Sequence, residues 1–428
     1  MSTIEQPAGA APGIPTVTDY DPFDHYGRAF FRRARKETPV FYDERLGAYV
    51  ITRYADCNAV LKDKSGAVSA QTALAPNVQP IDQAMQILGE SGFVPAPSLV
   101  DEDAEVHRIH REATQGPFKM SRIKGLEGFI RRQVDDRLDA IVKSGAVDIV
   151  DAMIYEVPAT VILHMMGLPD EQMGMVKDFR GPWAVFQWGF PSEEVQIHTA
   201  HGMGAFGQWA RALSQSRIDQ PGEDIISEAH QNLEAAGAMD RPFLDSYTLN
   251  VVMAGHETTT NTMAGGLKSL LEHPDQYAAL AADPSLIPNA ADEILRYDTG
   301  VPTWRQFVVE DFPLPSGATI PAGSKVYVAL NSANRDEEVF EDGDRFDVRR
   351  TNASKHLAFG TGVHTCMGNH LAKMELRIML EALTQRLPHA ELVPGQQWVT
   401  SPNTSQRGPE HLQITWDPAQ NPRPEDRP

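Results

Sequence analysis

Apolar positions in this 428-residue chain recur at intervals of three and four from about residue 104 to 298, the spacing that gathers them on one helical face. Breaks at Gly167-Leu168-Pro169 and His273-Pro274 divide the stretch into separate helices. Shorter strand-like runs stand outside it: AYVITRY at 48–54, VYVAL at 326–330 and LQITW at 412–416. A helical bulk with small flanking sheets matches neither a doubly wound parallel sheet nor a barrel. The pattern predicts a mainly α fold with minor β. No linker, repeat or low-complexity block interrupts it, so one large domain is expected over 21–416. Pro-rich polar segments at 1–20 and 417–428 read as flexible arms.

Two stretches depart from this plan. Residues 69–100, with Pro76, Pro80, Pro95 and Pro97, read as a long loop, the usual form of a binding loop or lid. Residues 179–190, FRGPWAVFQWGF, hold five aromatic side chains in twelve positions. Core packing and the roof of a ligand cavity both account for that density.

Composition narrows the function. Lys and Arg number 38 against 58 Asp and Glu, a formal charge of −20, which argues against nucleic acid or an anionic membrane as partner. Cys57 and Cys366 are the two cysteines. They exclude a disulfide scaffold, an all-cysteine zinc site and a four-cysteine iron–sulfur cluster built by this chain alone. The first residues lack the basic and apolar regions of a signal peptide, and no run of about 18 apolar residues occurs. A cytoplasmic protein is expected.

Three motifs carry little. Gly202-Met203-Gly204-Ala205-Phe206-Gly207 has the letters of a dinucleotide fingerprint, but its polar, helix-like lead-in from Glu193 is not the buried strand which that turn requires. His256-Glu257 opens like a zinc-hydrolase helix, yet Thr260 stands where the second histidine belongs. Glu293 and Arg296 place opposite charges on one helical face, a pairing usually found solvated and weak.

Two segments carry chemistry. Ala254-Gly255-His256-Glu257-Thr258-Thr259-Thr260 puts a glycine and three β-branched residues into an apolar helical stretch, where propensity is poor. Small residues admit a bulky neighbour, and the adjacent carboxylate and hydroxyl offer a proton path. Phe359-Gly360-Thr361-Gly362-Val363-His364-Thr365-Cys366-Met367-Gly368 sets a cysteine behind a two-glycine turn and ahead of a helix. The amides and dipole of that helix favour a thiolate, and Gly368 removes bulk where a flat cofactor would lie. His364, His370 and Cys366 are also able to bind a metal directly, but the turn favours a single axial thiolate.

These residues together resemble the cytochrome P-450 family, in its soluble bacterial form. Phe359, Gly360, Gly362, His364, Cys366 and Gly368 match the fixed positions of the family's haem-ligand loop. Glu293 and Arg296 match its E-x-x-R helix, Ala254 to Thr258 its oxygen-groove helix, and His107 with Arg111 its H-x-x-x-R. The four follow the family's order from about residue 20 to 417. One departs: Gly343 replaces the proline usual before Asp344-Arg345-Phe346.

The resemblance implies haem b (iron protoporphyrin IX) with Cys366 as the axial iron ligand. It implies cofactor contacts from His107, Arg111, Arg305, His364, Phe359, Ala254, Gly255 and Gly368, with Ala254 and Gly255 leaving room for oxygen. Thr258 and Glu257 would handle dioxygen and protons, and Arg345 would complete the Glu293–Arg296 network. Phe186, Leu249, Asn250, Met253, Val301, Thr303, Trp304, Asn403 and Thr404 would wall the substrate pocket. The activity implied is insertion of one oxygen atom from O2 into a small hydrophobic, aromatic or methoxylated organic substrate, by hydroxylation or O-dealkylation. Electrons would come from a separate ferredoxin and its reductase, fed by NADH or NADPH, docking on Arg349, Arg350, Lys355, Lys373 and Arg377. The alternatives are a peroxide-driven peroxygenase and a non-enzymatic haem sensor.

Overall fold

The structure, a computed structural model, describes residues 9–24, 27–93, 96–172, 174 and 182–422. Residues 179–181 of the aromatic run, 94–95 of the long loop and both chain ends lie outside the described residues. The predicted class holds: a body of helices carries a five-stranded sheet and a three-stranded sheet at its margins.

The organising element is the 31-residue helix Arg241–Leu271, whose start is capped by the Asp240 carboxylate accepting from Phe243 N. Its poor formers are tolerated for visible reasons. Thr248, Thr258 and Thr262 donate their hydroxyls to the carbonyls of Leu244, Ala254 and Thr258, so these polar groups are satisfied within the helix itself. Its glycines admit neighbours: a Cβ on Gly255 would stand 3.0 Å from Ile162 Cδ1, and one on Gly266 would stand 2.3 Å from Ile294 Cγ2. Burial on nearly every side then outweighs intrinsic propensity.

The larger sheet runs in the spatial order Val40–Asp43, Ala48–Ile51, Ser324–Val328, Trp304–Val308, Val68–Ser69. Ala48–Ile51 is parallel to Ser324–Val328, with Tyr49 opposite Val326, and the other pairings are antiparallel. The expected strand at 48–54 stops at Ile51 because Tyr54 opens a helix, and the one near 412–416 forms as Gln413–Thr415, centre of the smaller sheet. Within 104–298 the chain also makes a strand, Ala146–Asp148, and a π-helical turn, Val150–Ile154.

The stretch expected as one loop contains the helix Asp82–Glu90. Its Ala84 and Leu88, four apart, pack with Ala200 and Met203 of the helix Glu193–Asp219. That longer helix carries the G-x-G-x-x-G letters, and its glycines are packing positions. A Cβ on Gly204 would meet Ser91 at 2.7 Å, and one on Gly207 would meet Phe93 at 2.6 Å. Within the segments expected as flexible arms, Ile14 and Tyr20 are buried, and Asn421 donates to the Val142 carbonyl. No described helix is long and apolar enough to cross a membrane.

The pair read as indecisive is the most deeply buried ion pair among the described residues. Glu293 and Arg296, on the helix Ile287–Tyr297, have side chains 0% exposed and meet at 2.7 Å. The third member is Arg350, 3.3 Å from Glu293, and not Arg345, whose 64%-exposed side chain faces Asp347. Arg345 contributes its carbonyl, which accepts from Arg296. Gly343 likewise accepts from Arg296 through its carbonyl, and a Cβ there would fall 2.3 Å from the Arg335 carbonyl oxygen. The position usual for proline has no room for a ring here. Arg350→Ala removes one of the two cations on Glu293, Arg296 remaining in place, and is expected to cost about 1.5–3 kcal/mol in denaturant unfolding. Arg345→Ala should stay within about 0.5 kcal/mol of wild type in the same measurement.

Candidate active site

A cavity of about 300 Å³ opens where the central helix, the loop 359–368 and the helix Ala104–Thr114 converge. The loop is shaped by two left-handed glycines, Gly360 at φ +63° and Gly362 at φ +78°. A side chain at Gly362 would also strike the Leu61 carbonyl at 2.4 Å. The turn closes when Cys366 N donates to Phe359 O at 2.9 Å, and the helix Asn369–Arg386 begins at once. Cys366 is thereby exposed to the void although protein surrounds it. Burial pushes its thiol up, while the amides of Gly368 and Asn369 and the charge of Arg111 pull it down. Cys57 is fully buried against the Ile51 carbonyl and behaves as the packing residue expected.

Across the void, Ala254, Gly255 and Thr258 line the cavity from the central helix. Ala254 is exposed on a helix otherwise buried, so the face i, i+4 of Ala254 and Thr258 looks onto empty space. The glycine at 255 also makes room for Ile162, which lines the same cavity.

A cationic wall closes one end. Arg111 donates to the Thr365 carbonyl at 2.6 Å, and His364 Nδ1 lies 3.2 Å from the Leu99 carbonyl. His107 stands behind, its ring centroid 4.1 Å from that of His364, and its buried Nε2 has no hydrogen-bond partner. Burial, His364 and Arg111 together depress the His107 pKa to about 4. Donors gathered this way with an orphaned ring nitrogen suit carboxylates entering from the cavity.

The sequence profile of the cytochrome P-450 family matches residues 211–415. Cytochrome P-450 105A3 of Streptomyces carbophilus is 33% identical over 382 residues, 88% of each chain. The chain belongs to the cytochrome P-450 family. It is thus an oxidoreductase of the monooxygenase class, and the family's cofactor is haem. The crystal structure of an intact type IV self-sufficient P-450 monooxygenase superposes at TM-score 0.90 with 40% identity, covering 96% of this chain and 54% of that one. P-450 CREJ in complex with (4-ethylphenyl) dihydrogen phosphate superposes at 0.89 with 33% identity, covering 93% and 99%.

In this P-450 a haem fits the donors present: one thiol facing the void, small residues opposite, and a cationic wall with an unpartnered imidazole nitrogen. Phe359 and Gly368 complete the lining from the loop. Arg305 does not join them. Its guanidinium donates to the carbonyls of Thr72 and Ala75 and to Asn77 Oδ1, and so ties strand to loop. Glu257 also turns away, into a second, smaller cavity.

Of the nine pocket positions read from the sequence, Asn250, Val301 and Trp304 line the main cavity. Leu249 and Met253 pack into the core from other faces of the central helix, and Phe186 packs with Ala84 and Leu88. Thr303 donates its hydroxyl to the Thr404 carbonyl, Thr404 bonds Trp188 O, and Asn403 caps its own turn through Ser405 and Gln406. Leu99, in the stretch read as a binding loop, lines the cavity; the sequence reading missed Val251, Gln306 and Glu375, which also line it. Val251, Ala254 and Thr258 share one helical stripe, a signal that periodicity alone carried.

Glu375 is 1% exposed, and neither carboxylate oxygen has a hydrogen-bond partner. Burial raises its pKa from 4.5 to about 8. The folded state therefore keeps this proton where the unfolded chain has lost it, so stability falls as pH rises from about 4.5 through about 8. In Glu375→Gln that slope is expected to vanish, so the variant gains on wild type with rising pH in denaturation series.

Proposed function

We propose that this P-450 is a haem-thiolate monooxygenase that inserts one oxygen atom from O2 into a small hydrophobic organic substrate. The observation that carries the reading is the meeting of Cys366, Ala254 and Thr258 across one apolar cavity bounded by Arg111 and His364. When bound, the haem supplies dioxygen activation. Cys366 Sγ would hold its iron, and Arg111, His364 and His107 would hold its carboxylates. Thr258 Oγ1 donates to the Ala254 carbonyl at 2.7 Å and keeps lone pairs toward the cavity, so it accepts a hydrogen bond and orders water there. Glu257 holds the proton supply one residue away. Leu99, Val251, Val301 and Trp304 exclude bulk water from the substrate.

The lining favours an aromatic ring, including a methoxylated one, for hydroxylation or O-dealkylation. Asn250 donates its amide to Ser246, leaving its carbonyl oxygen to accept from a substrate hydroxyl. The complex of the related P-450 CREJ with an ethylphenyl phosphate agrees with an aromatic guest.

Electrons come, in this reading, from a separate ferredoxin and reductase. The basic patch is smaller than the sequence suggested. Lys373 is paired with Asp292 at 2.6 Å and Arg350 is buried on Glu293. Arg349, Lys355 and Arg377 remain exposed. Reversing these three charges is expected to raise the ferredoxin KM and flatten its salt dependence, with the substrate dissociation constant unchanged.

The deciding experiment is the carbon-monoxide difference spectrum of the reduced haem protein. A thiolate-type red-shifted band, lost in Cys366→Ser, is the expected result, and a band at the position of histidine-ligated haem refutes the assignment. Spectral titration against small aromatic ethers and phenols then identifies the substrate class.

A further inference from the structure

The ring of Phe359, whose carbonyl accepts from Cys366 N, is held from two sides. The His356 ring meets it edge-on, with 5.6 Å between centroids and 61° between planes. From the helix Asn369–Arg386, Lys373 Nζ stands 5.9 Å from the Phe359 centroid, within cation–π range. One carboxylate serves both neighbours. Asp292 Oδ1, on the helix Ile287–Tyr297, lies 2.6 Å from Lys373 Nζ and 3.6 Å from His356 Nε2. Burial works against ionising Asp292, but His356 and Lys373 outweigh it, so its pKa falls below the ordinary carboxyl value.

The two contacts are unequal. Burial lowers the His356 pKa below its ordinary value and favours the neutral ring. Nδ1 accepts from Ala358 N at 3.2 Å, so the ring proton stands on Nε2, facing Asp292. That donor is buried without a hydrogen-bond partner, and 3.6 Å is just beyond a hydrogen bond. A buried donor left this near an acceptor gains by closing on it once the acceptor is released. Lys373 is what holds the acceptor back. The His356 side chain is 3% exposed, whereas that of Lys373 is 34% exposed and lies one helical turn from the exposed Arg377. A partner's carboxylate therefore reaches Lys373 and not the groups behind it.

We propose that Asp292 is a positioning residue for the cysteine loop, and that Lys373 is the handle by which an acidic electron-donor protein moves it. The handle rests on the ferredoxin reading above. A donor carboxylate that pairs with Lys373 Nζ draws it off Asp292. The freed carboxylate then accepts from His356 Nε2, and the ring that braces Phe359 shifts with it. Phe359 carries the acceptor of the Cys366 amide, so the shift reaches the surroundings of the thiol. No proton changes owner: one ion pair is exchanged for another, and one hydrogen bond forms.

The test reads wild type, Lys373→Gln, Lys373→Arg and His356→Phe as reduced carbon-monoxide complexes. It uses nuclear magnetic resonance of isotope-labelled histidine rings and the infrared carbon-monoxide stretch. In Lys373→Gln the His356 Nε2 proton should move downfield and exchange more slowly with solvent, and the stretch should shift with it. Lys373→Arg should keep both signals at their wild-type positions. An acidic two-iron ferredoxin, added to wild type at low salt, should produce the same two changes, and the stretch of His356→Phe should ignore it. A folded Lys373→Gln protein with the wild-type His356 proton overturns the proposal, and so does a bound ferredoxin that leaves that proton unmoved. Failure of the donor reading appears separately, as a ferredoxin that does not bind wild type. The Lys373→Gln comparison uses no partner and still judges the Asp292 contact.

Discussion

The position of everything around Cys366 depends on one buried ion network. Glu293 and Arg296 are removed from solvent altogether, and a charge so placed is tolerated only where every group around it is satisfied. Arg296 meets that demand by donating to the carbonyls of Asn334, Gly343 and Arg345, and Glu293 by accepting from Asp347 N and Arg350. The helix Ile287–Tyr297 is thereby locked to the irregular segment 334–350, which leads directly into the cysteine loop. Asp292 on the same helix extends the lock, pairing with Lys373 on the helix after Cys366. A network of this kind adds little net stability over apolar packing. Its product is a fixed geometry for a loop that has little regular structure of its own.

The central helix solves a different problem. It must be long and buried, yet leave one face empty. Ala254 and Thr258 supply the gap, while Gly255 and Gly266 let Ile162 and Ile294 press against the helix. The threonine hydroxyls are satisfied on their own helix, so the empty face needs no partner side chains. A void in a close-packed interior is costly unless something fills it.

Much of this was legible in the residues. The helical bulk, the cysteine loop, the H-x-x-x-R wall and the central helix all follow from local pattern, because spacing along one element determines what shares a face. What was not legible depended on contacts between distant segments. Arg345 and Arg350 are equally basic, and tertiary burial alone selects the second. Arg305 reads as a cavity cation until three acceptors from residues 72–77 are seen to claim it. Thr303, Asn403 and Thr404 are spent on one another and on Trp188, a loop-to-loop exchange that no periodicity announces. Glu375 sits at an ordinary helical position, and its significance lies entirely in the absence of a hydrogen-bond partner.

The seating of the long helix Glu193–Asp219 on the segment before it has one more consequence. Gly204 and Gly207 receive Ser91 and Phe93, Gln208 bonds the Ser91 carbonyl, and Gln196 accepts from Ile81 N. Farther along, Trp188 donates to Ala73 O and Asn77 donates back to Trp188 O. Two stretches far apart in sequence are stitched by these six contacts into one panel. A substitution in either stretch is therefore felt by both, and the ligand preference of the cavity beneath is inherited as a paired trait rather than as the property of a single loop.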